Sequence, residues 1–260
     1  MGATGMLGKR VVQEAEQRGH TVVAPAVRFG EYIVPVTFSS MDVIINCAGI
    51  IPAKMPSPEH MIQVNSLGPW QLARVACEWN TRLVHMSTDC VFSGEKIRSL
   101  NTQTLPDPID LYGRSKLTGE PSGKNVVVVR GSFIGLEHGF LYWLLREKGL
   151  VQAWTKAMWN GGSVKIMAHA LVDLAESDVE GVVHVAAETP VSKAWMIEYL
   201  IDALDLHIDA INFIREPSIW RALEPDIVLP PVKDSLDELV EEAKDTEEEW
   251  KTPSFQSQSQ

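Results

Sequence analysis

The sequence predicts an α/β protein, a Rossmann-like doubly wound parallel sheet with a small C-terminal lobe, and three observations carry that prediction. Apolar runs of strand length alternate with helical repeats through the first two-thirds of the 260 residues, as βαβ units do. The runs are nearly all apolar rather than alternating, which suits strands covered on both faces. A glycine-rich turn opens the first helical segment, as in sheets that bind ligands at a strand-to-helix junction.

Taken in order, His20–Val27 (HTVVAPAV) reads as a strand, and Met41–Cys47 (MDVIINC) as one buried on both faces. Arg82–Met86 and Asn125–Arg130 (NVVVVR) are the next two. Between them, Lys9–Arg18 reads as a helix stopped by Gly19. A longer helix over 58–79 carries Met61, Val64, Leu67, Leu72, Val75 and Trp79 near the helical repeat. Another helix starts at Tyr112 and runs to Gly119. Later segments read as helices over 140–148 and 168–177, a strand over 182–186, and a helix over 190–204 with Pro190 in its first turn. The tryptophans at 143, 154, 159 and 195 suit the core of the C-terminal lobe. The expected division is a core over 1–132, a lobe over 133–232 partly interleaved with it, and an acidic tail over 233–260, a solvated helix followed by disorder.

One feature breaks the pattern. A turn of this kind normally follows a strand, and that strand is central to the sheet. Only Met1 precedes Gly2. The missing first strand would leave inner backbone edges unpaired. The link from 28 to 40 is also short for a crossover with a full helix. Two readings stay open: a start downstream of the true one, or a reduced variant that fills the gap another way.

Composition excludes several classes. The formal charge is −11, of which residues 234–260 carry −7 through nine acids and two bases. Nucleic-acid binding needs basic surface and is not expected. No run of about 18 apolar residues suggests a membrane span, and the N-terminus lacks a signal-peptide pattern. Cys47, Cys77 and Cys90 form no CxxC pair, which favours reduced thiols in the cytoplasm over a disulfide framework or a zinc cluster.

Three motifs bear chemistry. Gly2-Ala3-Thr4-Gly5-Met6-Leu7-Gly8 lets backbone N–H groups and a helix N-terminus approach a pyrophosphate. Alone it is a weak signal, since such turns occur in many settings. Tyr112 and Lys116 form a YxxxK pair whose spacing sets both on one helix face. An ammonium beside a phenol would ease its proton exchange, and the lysine could also bond a ribose hydroxyl; the plainer reading is a surface tyrosine and lysine. Val84–Gly94 (VHMSTDCVFSG) ends a strand in hydroxyls and a carboxylate, where ligands of open α/β sheets bind. A hydroxyl there could polarise a carbonyl; the alternative is turn chemistry. His85, mid-strand among apolar residues, reads as a core histidine.

The ordered set GATGMLG, NCAG, VNSLG, STDCVFSG, DLYGRSK and VRGSF resembles the extended short-chain dehydrogenase/reductases, most closely the dTDP-4-dehydrorhamnose reductases and their sugar-nucleotide-binding relatives. The resemblance covers roughly residues 2–135, with weaker echoes at Phe140 and Trp159-Asn160-Gly161. It implies reduction of a 4-keto-6-deoxy nucleotide sugar in deoxysugar or polysaccharide precursor synthesis. Tyr112 would give the proton, Lys116 would tune it and hold the nicotinamide ribose, and Thr88 would bond the carbonyl. Asp89 would contact the sugar and Phe133 would stand against it, making the C-terminal lobe the substrate lobe. Gly2, Gly5, Met6, Leu7 and Gly8 would face the pyrophosphate. Cys47, Ala48 and Gly49 would run under the adenosine ribose, Met86 would line the nicotinamide pocket, and Asn65 would brace the sheet or a water path.

This sequence departs from the family in places. Cys90 stands where an aromatic is common, and it reads as a packing residue rather than a nucleophile. Its place also argues against a 4,6-dehydratase, which carries a glutamate there. No acid follows His20 to bind a 2′-hydroxyl, and Arg28 nearby favours a 2′-phosphate, hence NADP(H) over NAD(H); Arg28 could equally be a solvated loop residue. A homodimer fits the family. An epimerase uses the same three side chains, and a non-catalytic NADP-binding regulatory subunit could keep the fold.

Overall fold

The computed structural model describes residues 1–25, 40–95 and 99–246. Its centre is a five-stranded parallel sheet of β1 (Val43–Asn46), β2 (Arg82–Met86), β3 (Val126–Arg130), β4 (Gly181–Ala187) and β5 (Ile227–Leu229), hydrogen-bonded in that order. β3 shows why these residues make this sheet. Val127 and Val129 point into one core and Val126 and Val128 into the other, the two-residue alternation of a strand buried on both faces. Each such valine contributes about 1.5–3 kcal/mol by leaving water.

Helices cover both faces. On one side, α1 (Met6–Gln17) inserts Leu7 and Val11 against Val84, Met86 and the later helix residues Met167 and Leu171. On the other, Val64, Leu72 and Val75 pack on Ile44 and Leu83. The expected helix over 58–79 is three pieces: α2 (Pro58–Ile62), a π turn over Gln63–Leu67 and α3 (Gly68–Trp79). Pro69 sits in the first turn of α3, where its missing N–H costs least, and the wider turn before it loosens the ladder at Asn65. The Tyr112 helix is α4 (Leu111–Thr118), capped by Asp110, which accepts from the Gly113 N–H at 2.7 Å.

The His20–Val27 strand is not formed over its described residues 20–25. A strand needs a neighbour to pair with, and among the described residues the outer side of β1 is paired by Met1. The Met1 amine donates to the Ile45 carbonyl at 2.6 Å, and the Cys47 N–H donates to the Met1 carbonyl at 3.1 Å. Past that contact lies a cavity of about 470 Å³ between β1, α1 and the later helix, lined by Val11, Ala15, Val22, Ile45 and Val172. The expectation that residues 41–47 are buried on both faces therefore fails: Ile44 and Asn46 are buried, while Val43 and Ile45 are half-buried.

Beyond β3 the chain differs more from its reading. The segment expected as a helix over 140–148 is the short α5 (Phe140–Leu144), followed by a strand over Leu150–Trp154. The next helix, α6 (Val164–Ala175), starts four residues early on a Ser163 cap. Pro190 lies outside α7 (Lys193–Ala203), which begins instead at Ser192, whose hydroxyl accepts from the Trp195 N–H. The acidic tail helix, α8 (Val232–Asp245), is not merely solvated: Val232, Leu236, Leu239, Val240 and Ala243 are buried with Leu141, Trp159, Ile197 and Leu200 in the lobe core. Its acids lie on the other face, an amphipathic pattern. Trp143 and Trp195 pack on that core, as expected. Because β4 and β5 come from residues 181–187 and 227–229, the sheet and the lobe are interleaved along the chain.

Candidate active site

The glycine turn is built by close backbone approach. Gly2 has φ +76°, and a Cβ there would lie 2.7 Å from the Ala48 nitrogen; one at Gly8 would lie 2.0 Å from the Gly2 carbonyl oxygen. Side chains at either place would push the turn off Cys47 and Ala48, the loop leaving β1. Gly5 is different. It is the N-cap of α1 without a side-chain cap, and a Cβ there would meet only the Gly2 oxygen, at 3.4 Å. The first N–H groups of a 12-residue helix thus face an open approach, the arrangement that takes a phosphate. The cradle fits a dinucleotide pyrophosphate. Leu7 offers it backbone only, since its side chain is in the core. Met6 turns over Gly135, where a Cβ would meet its sulfur at 2.7 Å. Arg28 lies outside the described residues.

The catalytic side is built from the ends of β2 and α4. Thr88 and Asp89, each 6% exposed, begin a tight 3₁₀ turn. Thr88 Oγ1 accepts from the Cys90 N–H and donates to Asp89 Oδ1, both at 3.2 Å. The Tyr112 phenol lies near enough to Thr88 for the threonine hydroxyl to favour its ionised form. One turn on, Lys116 is buried and its Nζ donates to the Met86 carbonyl at 2.7 Å. Thr88, Tyr112 and Lys116, chosen from sequence, are therefore brought together. Gly113 permits this, because a Cβ there would lie 2.3 Å from the Cys90 carbonyl oxygen.

Electrostatics do not follow the simple expectation. Burial, with Cys90 and the Asp89 and Asp110 carboxylates nearby, holds the Tyr112 phenol above its ordinary range. Burial also pushes Lys116 down to about 8, against the raising influence first of Glu120 and then of Cys47. The ammonium is committed to the Met86 carbonyl, so the expected easing of the phenol is not present here. Cys90 is raised to about 12, by burial first and by Asp89, and stays a protonated thiol. Its sulfur accepts from Arg221 Nη1 at 3.3 Å. Cys47 is raised to about 11 by burial.

The other named residues brace the site. Asn65 Nδ2 donates to the Ile50 carbonyl and to Ser115 Oγ, and its Oδ1 accepts from the Ile50 N–H. A Cβ at Gly49 would lie 3.6 Å from Asn65 Oδ1 and 3.8 Å from Lys116 Nζ, so the loop after β1 reaches the lysine. The Met86 side chain lies in the core cluster, and its carbonyl accepts from Lys116 Nζ. Phe133 is half-buried just past β3, in a two-residue strand that pairs with Gly162–Ser163. His85 is fully buried against Asn46, with Nδ1 and Nδ2 3.0 Å apart, and burial holds it neutral.

Sequence reading missed Ser87, Glu120, Arg130 and Arg221. Ser87 Oγ donates to Glu120 Oε1 at 2.6 Å, and Arg130 grips both carboxylate oxygens, with Nη2 2.7 Å from Oε2. Arg221 reaches from the lobe to the Phe92 carbonyl as well as Cys90. Two signals were available: the spacing 112, 116, 120, and an arginine ending an otherwise apolar run. Among the described residues no group of His, Cys, Asp or Glu could hold a metal, and no helix is long and apolar enough to cross a membrane.

Comparison with known proteins adds a lineage to this geometry. Residues 1–217 match the family model described as the RmlD substrate binding domain. The probable low-salt glycan biosynthesis reductase of Haloferax volcanii is 29% identical over 223 residues, 74% of this chain and 74% of that protein. A dTDP-4-dehydrorhamnose reductase of Mycobacterium tuberculosis is 29% identical over 213 residues, 74% of this chain and 70% of that one. Among solved structures, a dTDP-4-dehydrorhamnose reductase of Clostridium acetobutylicum superposes with a TM-score of 0.83 at 18% identity, covering 94% of this chain and 98% of that one. The NADP complex of one from Bacillus anthracis gives 0.80 at 17%, covering 93% and 97%. At those identities the structures speak for the fold, a Rossmann-like one, as the sequence predicted.

Proposed function

The chain belongs to the RmlD substrate binding domain family, and from that premise we propose that it is an NAD(P)H-dependent reductase of a nucleotide-linked 4-keto-6-deoxy sugar, serving deoxysugar or polysaccharide precursor synthesis. The observation that carries this reading is the meeting of Thr88 and the Tyr112 phenol with Lys116 one turn away, at the carboxyl end of β2 and beside the glycine cradle. When bound, the reduced nicotinamide supplies the hydride.

The residues of the chain do the rest. Tyr112 delivers its proton to the C4 oxygen, and its raised affinity for that proton keeps it charged with hydrogen until an oxyanion develops. Thr88 orients the carbonyl oxygen, and Asp89 bonds the sugar. Lys116 holds the cofactor ribose, and Asn65 fixes the loop that frames it. The α1 N-terminus, with Gly2, Gly5 and Gly8, takes the pyrophosphate; Cys47, Ala48 and Gly49 lie under the adenosine side. Phe133 flanks the sugar. NADPH is the favoured donor on the strength of Arg28 and the lack of an acid after His20. The free thiols Cys47, Cys77 and Cys90 suit a cytoplasmic setting, and a homodimer is the assembly in view.

The test is direct. Purified protein, NADPH and a dTDP-linked 4-keto-6-deoxy sugar are mixed and the absorbance of reduced cofactor is followed. Consumption that stops in Tyr112→Phe supports the reductase; saturable cofactor binding without consumption in the unaltered protein would make it a binding subunit instead.

A further inference from the structure

The chemistry just described makes no use of Glu120, yet its side chain is only 6% exposed. It follows Tyr112 and Lys116 at intervals of four, two residues past the end of α4, where its N–H still bonds the Leu117 carbonyl. Its position is costly on two counts. It stands at the C-terminal end of a helix, where the dipole repels a negative charge, and it is withdrawn from water, which penalises an ionised carboxylate by several kcal/mol. The grip of Arg130 offsets that penalty without explaining it, because a buried ion pair is often no more stabilising than apolar residues of the same volume.

What the carboxylate touches suggests a purpose. Besides Arg130 it accepts from Ser87. Ser87 lies between Met86, whose carbonyl receives Lys116, and Thr88, which neighbours the Tyr112 phenol. Lys116 is faced by Glu120 from the end of its own helix, by Cys47 from the end of β1, and by His85 and the Met86 carbonyl from β2. Burial keeps Cys47 a thiol and His85 neutral near pH 8. Among these neighbours, Glu120 brings the negative charge.

We propose that Glu120 is a positioning residue for the reaction: braced by Arg130, its carboxylate fixes the Met86–Thr88 segment through Ser87 and so sets where the Met86 carbonyl holds the Lys116 amine. The proposal rests on Tyr112 and Lys116 as the working pair, and its test separates the two claims. Protein labelled with ¹³Cε-lysine is titrated by NMR, the Lys116 resonance being the one lost in Lys116→Arg. Glu120→Gln should lower the Lys116 midpoint by about one pH unit, an effect of the size expected for one nearby charge. Glu120→Asp should restore most of it. Because Glu120→Gln strands the Arg130 charge and can unfold the protein, Glu120→Gln/Arg130→Gln is measured beside it and should show the same fall. In the reductase assay the alkaline limb of kcat should fall with that midpoint while KM for the sugar changes less than twofold. An unmoved midpoint in either folded variant overturns the proposal even if the unaltered protein reduces the sugar. A moved midpoint in a protein that never consumes NADPH upholds the role of Glu120 on Lys116 and sinks the reductase reading instead.

Discussion

The two walls of the cleft are built on opposite principles. The glycine wall is backbone against backbone: a Cβ at Gly2 would meet the Ala48 nitrogen and one at Gly8 the Gly2 carbonyl oxygen. The wall carrying Tyr112 is side chain against side chain, with Lys116, Glu120 and Arg130 all withdrawn from water. The first should tolerate changes of charge nearby and fail on added volume. The second should tolerate small changes of volume and fail on altered charge or a lost proton.

The sharpest test of the contrast is Tyr112→Phe. It removes one oxygen and little volume, and should cut kcat about a thousandfold, the scale of a lost general acid. Cofactor affinity, read by NADPH fluorescence, should stay within twofold; a tenfold loss would mean the phenol serves binding. Gly8→Ala should do the reverse. Its methyl would sit 2.0 Å from the Gly2 oxygen, so urea unfolding should show a loss of about 1–3 kcal/mol together with weakened cofactor binding. An unchanged unfolding curve would show that the turn can shift.

Lys116 gives a smaller, signed effect. Its amine is held down to about 8 in the fold against an ordinary 10.5. Above pH 8 the unfolded chain therefore binds the extra proton, and stability gains from this group as pH rises. The gain from this group runs up to the ordinary 10.5, but from pH 9 the raised thiols Cys47 and Cys90 act in the opposite sense. Lys116→Met should flatten the rise between about pH 8 and 9 in thermal melts. An equally steep rise in that variant would assign the slope elsewhere. Smallest of all is Gly5→Ala. With only the Gly2 oxygen at 3.4 Å, its stability cost should stay below about 1 kcal/mol, while cofactor binding falls because the methyl stands over the helix N-terminus. Equal losses in both measurements would place Gly5 with Gly8.

What could be read from the sequence follows the range of the forces involved. The run Val126–Arg130 is a strand in the sheet as it is in the sequence, because five consecutive residues state their own burial. Tyr112 and Lys116 were legible because one helix turn sets their spacing. His20–Val27 carries the same kind of apolar signal and forms no strand over its described residues, since pairing depends on a neighbour that local composition does not report. The two- and three-residue strands of the lobe, such as Gly162–Ser163, are too short to show a period. Arg221 was invisible as a site residue because its partners, Phe92 and Cys90, lie 129 and 131 residues earlier in the chain, whereas Arg130 left only the weak trace of a charge ending an apolar run.

Asn160 closes the account of how the two halves meet. Its amide nitrogen donates to the Ala187 and Leu223 carbonyls, and its oxygen accepts from the Leu223 N–H, while Gly161 lies so near Ser132 that a methyl would be 2.0 Å from that carbonyl oxygen. These contacts by themselves fix the segment after β4 against the lobe. A ligand held between the two would lose little ordering entropy, and more of its contact energy would survive as affinity.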